Sequence, residues 1–351
     1  MPSNPLIAAL LAAVGAGGPQ ARERQGGWVA GRDGAPVFLH GGRKRGTVSV
    51  TPEFDRGGGQ GNGDKPPDLD ALWGLVESLN PFTADVALAV LAELCAARAT
   101  QAQRGPLIDS TVITAGQILA YKAVAAWDKD APALRARIRD EMARLRTLAF
   151  AIDGYPVFDP ATGRWRQDGA SWSGDRLFDI VEVNTPGAEG PSWFVRAGQW
   201  AYWWLNPQGR FWVGRISLAL LELNHRTTSG FEPIAKKIGQ HLSILSVALR
   251  HPATIDRRVD RLLAAIGELP REDARGPHWA ARTRARLVRA AQALKSLGVI
   301  DDVSWPDGHG PDDVRAGHWV NDWLDARVRF AMPATLPAGP AAAAGDTDAL
   351  H

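Results

Sequence analysis

The stretch Ala133 to Phe150, ALRARIRDEMARLRTLAF, carries five arginines in eighteen residues, and only Asp140 and Glu141 oppose them. Leu134, Ile138, Met142, Leu145 and Leu148 recur at three- and four-residue steps and predict one apolar stripe of a helix. Arg135, Arg139 and Arg146 flank that stripe on one side, and Arg137 and Arg144 on the other. A second run, PHWAARTRARLVRAAQALKSLGVIDDVSW (Pro277 to Trp305), repeats the pattern. Trp279, Thr283, Leu287, Ala290, Leu294 and Leu297 form its inner face. Arg282, Arg286 and Arg289 make an i, i+4, i+7 row beside it, with Arg284 and Lys295 across. Guanidinium groups in such number, with few carboxylates nearby, suit a polyanion; a solvated helix face is the plainer reading of one such helix taken alone.

The elements around these helices sharpen the choice. The first follows ITAGQILAYKAV (Ile113 to Val124), where Thr114 is placed to cap a short helix, and precedes two β-rich runs between Ala151 and Val183. The second follows EPIAKKIGQHLSILSVAL (Glu232 to Leu249) and TIDRRVDRLLAAIG (Thr254 to Gly267), both expected as helices. It precedes strands expected in VIDDVSW and in Trp319 to Met332. Short helix, turn, basic helix, then hairpin is the order of a winged helix-turn-helix, whose second helix enters the major groove. Two different basic helices in this setting aim the arginines at DNA.

Composition frames that reading. A chain of 351 residues is expected to hold two domains. The net charge of +2 conceals ten basic against four acidic residues between Arg257 and Leu297, and eight acids against two bases from Pro52 to Leu94. One cysteine, Cys95, excludes an intramolecular disulfide framework and fits a reducing compartment. LIAALLAAVGA (Leu6 to Ala16) lacks a basic flank and is too short to span a bilayer, so a soluble, cytoplasmic protein is expected. No phosphate-binding loop is present, and three tyrosines with scattered histidines do not support a metal-assisted nickase. DGHGPDDVRAGH (Asp307 to His318) is read as an exposed wing tip rather than a metal site. The expectation is therefore a non-enzyme without cofactor, metal or catalytic residue. Among fourteen tryptophans, Trp200, Trp203, Trp204 and Trp212 are assigned to core, and Trp165 and Trp172 to exposed contact.

The expected fold class is α+β, mainly α: two tandem winged helix-turn-helix domains with β-hairpin wings. Residues 1–65, with twelve glycines between 26 and 63, are expected as a flexible Gly-rich leader. The first winged-helix domain is placed at 66–190, for dimerisation and DNA contact, and the second at 191–332, for DNA binding. A Pro/Ala-rich tail at 333–351 is expected to be disordered. The long helix Asp68 to Ala99, broken near Pro81, presents Leu72, Leu75, Val76, Leu79, Val86, Val90 and Leu94. That apolar excess predicts a homodimer of the free protein through the first domain.

FEPIAKKIGQHLSI, RRVDRLLAAIG, RARLVRAAQALKSLGVIDDVSW and the closing WLDARVRFAMP resemble the second half of RepA-type plasmid replication initiators, over about residues 190 to 333. ITAGQILAYKAV with its following basic helix is similar to their first winged helix. The resemblance implies tandem winged helices that bind repeated origin sites (iterons) in double-stranded DNA, help open the duplex and recruit a host initiator and helicase. It implies Arg282, Arg284, Arg286 and Arg289 as major-groove readers in the second domain and Arg135, Arg139 and Arg146 in the first. Arg164 and Arg166 are implied as phosphate contacts on the first wing. The DNA-binding set expected in full adds Arg137, Arg144 and Lys295. The alternatives are a winged-helix transcription regulator without an origin role, and a docking protein whose winged helices bind only partners.

Overall fold

The computed structural model describes residues 2–3, 5–19, 21–23, 27–42, 46–52, 68–101, 110–122, 131–154, 157–159, 164–166, 172–187, 190–198, 214–223, 230–249, 252–308, 310 and 319–334. The chain opens with β1 (Pro2–Ser3), α1 (Pro5–Ala16), β2 (Val29–Ala30), β3 (Pro36–Gly42) and β4 (Gly46–Pro52). Next come α2 (Leu69–Ser78), α3 (Pro81–Gln101), β5 (Ser110–Thr114), α4 (Ala115–Ala120) and α5 (Ala131–Arg146). The strands β6 (Leu148–Asp153), β7 (Val157–Asp159), β8 (Arg164–Arg166), β9 (Trp172–Arg176), β10 (Phe178–Val183), β11 (Ser192–Ala197) and β12 (Gly214–Arg215) follow. The last part holds α6 (Glu232–Ala248), β13 (Thr254–Arg258), α7 (Val259–Ala265), α8 (Trp279–Ser296), β14 (Asp302–Ser304), α9 (Trp319–Asp325) and β15 (Arg327–Ala331).

One plan occurs twice. Helix α3, strand β5, short helix α4, long helix α5 and strands β10 and β11 are matched by α6, β13, α7, α8, β14 and β15. Both three-stranded sheets are antiparallel, ordered β10-β11-β5 and β13-β15-β14, so the last strand always lies between the other two. Local chemistry sets the boundaries. The Thr114 hydroxyl accepts from the Gln117 amide, and the Gln117 side chain accepts from the Thr114 amide, a complete capping box at the start of α4. Asp68 caps α2, and Pro81 at the first position of α3 enforces the break after Asn80. Helix α8 ends at Gly298, whose φ of 65° only glycine adopts without strain. The Val299 amide then reaches the Leu294 carbonyl and the Gly298 amide the Lys295 carbonyl, closing a Schellman motif.

The main departures from the sequence reading lie outside these units. The described residues between 5 and 52 are not a flexible leader. Helix α1 is apolar all round and buried, with Ile7, Ala9, Leu10 and Ala13 at 0% exposure, and it packs on α3, β3, β4 and α6. Strand β4 pairs along its length with β6, in a five-stranded antiparallel sheet β2-β3-β4-β6-β9. The hairpin expected as the first wing therefore belongs elsewhere: residues 148–153 and 172–176 complete this separate sheet, because Phe150 and Ile152 find their apolar partners there. The hairpin of the first unit is β10–β11, and a boundary at residue 190 would cut through it. Thr254–Arg258, expected as helix, is strand β13, held by pairing with β15; Trp319–Asp325, expected as strand, is helix α9. Residues 335–351, Trp200, Trp203, Trp204, Trp212 and most of Asp307 to His318 lie outside the described residues, as do the side chains of Trp165 and Trp172.

A single apolar core runs from Ile7 to Phe330. It takes in Val76, Leu79, Val86, Val90 and Leu94, and Leu72 is buried as well. Most of the helix surface expected to pair two copies is thus internal, with α3 covered by α1 and α5 and α2 by β3 and β4, while Leu75 is half-buried. Among the described residues of the first unit the exposed large apolar side chains are instead Val112, Phe194 and Val181, directly opposite one another across β5, β11 and β10. Among the described residues no single helix is long and apolar enough to cross a membrane; α2 and α3 together reach the length but meet at 78°.

A buried charge cluster joins the two units. Asp85 of α3 accepts on Oδ2 from Lys122 Nζ at 2.6 Å and from Lys236 Nζ of α6 at 2.5 Å. Lys122 also donates to the Leu223 carbonyl at 3.0 Å. All three side chains are at most 3% exposed. Two ammonium groups share one carboxylate, and Asp85 Oδ1 meets no donor among the described residues. Burial, and then the neighbouring Lys236 working against Asp85, pushes the Lys122 pKa down to about 8.

Candidate nucleic-acid interface

Helix α8 is built to show one face. Ala280, Thr283, Leu287, Ala290, Ala291 and Leu294 are buried against α6 and the core. The approach is close: a Cβ on Gly239 of α6 would lie 2.6 Å from Leu220 and 3.0 Å from Leu294. Arg282, Ala285, Arg289, Gln292, Lys295 and Ser296 are exposed. No acidic residue occurs between Trp279 and Ser296, so the solvent face of α8 is cationic and otherwise made of small or neutral groups.

The expected readers on α8 have unequal fates. Arg282 and Arg289 project into solvent. The Arg289 guanidinium lies over the Phe231 ring, 4.5 Å from its centroid, which holds it in place while leaving its edge open. Arg286 is half-buried: Nε donates to the Gly230 carbonyl at 2.7 Å, and Nη1 stands 3.7 Å from Glu268. Lys295 is exposed and paired with Asp302 at 2.8 Å. Arg284 is not a reader. It is buried and donates to the Gly310 carbonyl, because its position on the helix faces Gly310 rather than solvent.

The arginines of α5 are more thoroughly engaged. Glu141 is fully buried and accepts from Thr83 Oγ1 at 2.6 Å and Asn80 Nδ2 at 3.0 Å. Arg144 pairs with it at 2.8 Å and donates to Ser78 Oγ at 3.0 Å. Arg137 lies 3.9 Å from the same carboxylate and covers the Phe82 ring at 4.5 Å. Both are held at the α2–α3 junction by Glu141, Ser78 and Phe82 rather than standing on the outer face of α5, which corrects their assignment to DNA. A carboxylate in an apolar setting needs such partners, and here they come from its own helix. Arg135 is half-buried beneath Gly190, where a Cβ would come within 2.9 Å of its Cδ. Arg139 is exposed and bridges to Glu182 of β10 at 2.8 Å. Arg146 is exposed in the last turn. The outward face of α5 is completed by Ala133, Ala136, Asp140 and Ala143.

Arg164 and Arg166 lie on β8, opposite Asp159 and Val157 of β7 in a two-stranded ladder separate from the β10–β11 hairpin. The sheet of the second unit carries cations that sequence reasoning overlooked. Arg329 makes a two-point contact with Asp256 at 2.8 and 2.7 Å, Arg327 does so with Asp307 at 3.0 Å, and Arg258 binds Asp260 and Asp325. The guanidinium groups hold the Asp256 and Asp307 carboxyls below their usual range. The alternation Arg-Val-Arg-Phe in β15 was the available signal, since it puts both arginines on the face opposite the core. Gln292 gave no signal of its own; its place shows only once the buried face of α8 is known. Among the described residues no group of three or more His, Cys, Asp or Glu side chains is placed to hold a metal ion.

No protein-family model and no curated protein sequence matches the chain. Among solved structures, a crystal structure of domains 2 and 3 of RctB, as a selenomethionine derivative, is similar over 93% of this chain and 98% of that one, at 10% identity and a TM-score of 0.46. A second crystal structure of RctB domains 2–3 is similar over 92% and 97% of the two chains, at 9% identity and a TM-score of 0.42. A likeness of this degree says nothing of what this chain binds.

Proposed function

We propose that the chain binds double-stranded DNA through two winged helix-turn-helix units, and that it acts as a plasmid replication initiator at repeated origin sites. One observation supports the DNA reading above the rest. The helix, strand, helix, helix, strand, strand order occurs twice with the same sheet order, and in the second unit it sets an acid-free helix, α8, with Arg282 and Arg289 facing solvent. In a winged helix this is the element that enters the major groove. The origin role rests on the resemblance of residues 190 to 333 to RepA-type initiators. Opening of the duplex and recruitment of a host initiator and helicase in the cytoplasm belong to that same reading. No catalytic step is part of it.

Two measurements test the proposal. Affinity of the full chain for duplex DNA is expected to fall by orders of magnitude between about 50 and 200 mM salt, as phosphate neutralisation releases counterions. Binding that ignores salt refutes the electrostatic reading. A plasmid carrying tandem repeats from beside the gene is expected to replicate only when the protein is supplied, and to fail with Arg289→Ala. Binding to such repeats without any support of replication would leave the regulator reading standing and remove the initiator.

A further inference from the structure

The exposed ridge of α8 has a composition beyond what charge alone requires. Arg282, Ala285, Arg289 and Gln292 follow one another at three- and four-residue steps and are all exposed, so they share one line along the helix. Arg289 is held over Phe231, and its neighbour Arg286 is tied to Gly230, so the residues 230–231 that lead into α6 form a platform under the middle of the ridge. Ala285 keeps the line low between the two arginines. The Gln292 side chain is neutral, exposed and in no hydrogen bond among the described residues; only its carbonyl is used, accepting from Ser296 Oγ at 3.1 Å. A glutamine in this place offers a donor and an acceptor side by side, which matches the N6 and N7 edge of adenine; a fixed guanidinium matches O6 and N7 of guanine.

We infer that Gln292 is a specificity-determining residue that reads an A·T pair next to a G·C pair read by Arg289. The inference rests on the DNA-binding reading of α8 and deepens it. The helical rise places Gln292 about 4.5 Å beyond Arg289 and Arg282 about 10.5 Å before it. Against a base-pair rise of about 3.4 Å, adenine falls on a pair neighbouring the Arg289 guanine, and a second guanine contact falls about three pairs to the other side. Ala285, between the arginines, leaves room for a thymine methyl.

The test is selection of a randomised duplex pool by the full chain, followed by the same selection with Gln292→Ala and Gln292→Glu. Gln292 is exposed, so both variants are expected to fold, which circular dichroism checks. The wild type is expected to select a motif containing adjacent G and A. Gln292→Ala is expected to lose the preference at the adenine alone, with affinity for the selected site down about tenfold to a hundredfold and other positions unchanged. Gln292→Glu is expected to move the preference at that position toward cytosine, whose N4 amine donates to a carboxylate. An unchanged motif in both variants, or a uniform loss on all sequences, overturns the inference. So does a wild type that binds the pool without preference, although duplex binding itself then stands. A wild type that does not bind duplex DNA at all overturns the reading of α8 on which this one rests.

Discussion

Lys122→Met is expected to stabilise the protein, although it breaks an ion pair with a 2.6 Å separation. Asp85 is the single carboxylate beside two buried ammonium groups, and one positive charge is left over. Burial lowers the Lys122 pKa from 10.5 to about 8, with Lys236 adding to the effect and Asp85 opposing it. A folded-state pKa below the unfolded one means that stability is greatest above the unfolded value and falls as pH drops toward 8. At 1.36 kcal/mol per pH unit the loss is about 3 kcal/mol, and it is complete near neutrality. Removing the charge recovers that amount. Removing the hydrogen bond to the Leu223 carbonyl costs about 1 kcal/mol, which leaves a net gain of about 2 kcal/mol at pH 7. Asp85→Asn has the opposite effect: two ammonium groups lose their counter-charge, and about 3–5 kcal/mol of stability goes with it. Urea denaturation of the full chain, from pH 7 to about 9.5, reads both signs. The upper limit avoids the range in which Tyr121, whose pKa is raised by burial and by its hydrogen bond to Glu93, favours the unfolded chain. The wild type is expected to gain stability across pH 8 to 9.5, and Lys122→Met to be flat there. If Lys122→Met destabilises as much as Asp85→Asn at pH 7, Lys122 is a net stabilising partner and the surplus-charge argument is refuted.

Arg144→Ala is expected to cost about 2–3 kcal/mol of stability, because Glu141 stays buried with a partner missing, and to leave the DNA affinity of the folded fraction unchanged; a loss of affinity without a loss of stability returns Arg144 to the DNA face. Burial, with Arg257 and His40 adding to it, lowers the His241 pKa to about 4, so stability is expected to fall by about 3 kcal/mol as pH drops from 6.5 to 4. His241→Gln is expected to flatten that fall, and an unchanged acid profile in denaturant titrations counts against it. A fragment beginning at residue 66 lacks α1, β3 and β4 and exposes one edge of β6; it is expected to aggregate or to melt well below the full chain in calorimetry, and an equally stable fragment would show that α1 is dispensable.

Much of the two units was legible in the sequence because short-range rules govern them. The break at Pro81, the Thr114 cap, the glycine that ends α8 and the apolar stripes of α5 and α8 are all decided by a few neighbouring residues, and they lie where those residues put them. Arg282 and Arg289 were legible as exposed cations for the same reason: their helix has one apolar face, and they lie off it. The role of α1, the sheet that takes β6 and β9, and the fate of the α5 arginines were not legible. Each depends on what arrives from far along the chain. Residues 148–153 alternate like many strands, and only the presence of β4 decides which sheet they join. Arg137 and Arg144 look like free surface charges until Glu141 on their own helix is enclosed by Asn80 and Thr83, and Arg144 is tied to Ser78, all from about sixty residues earlier in the chain. The sequence by itself determined which helices form and which of their faces are apolar, since propensity, capping and periodicity act within a few turns. Only the tertiary structure decided which charges remain available to a partner, because a charge's availability is set by burial and by carboxylates that the fold brings beside it.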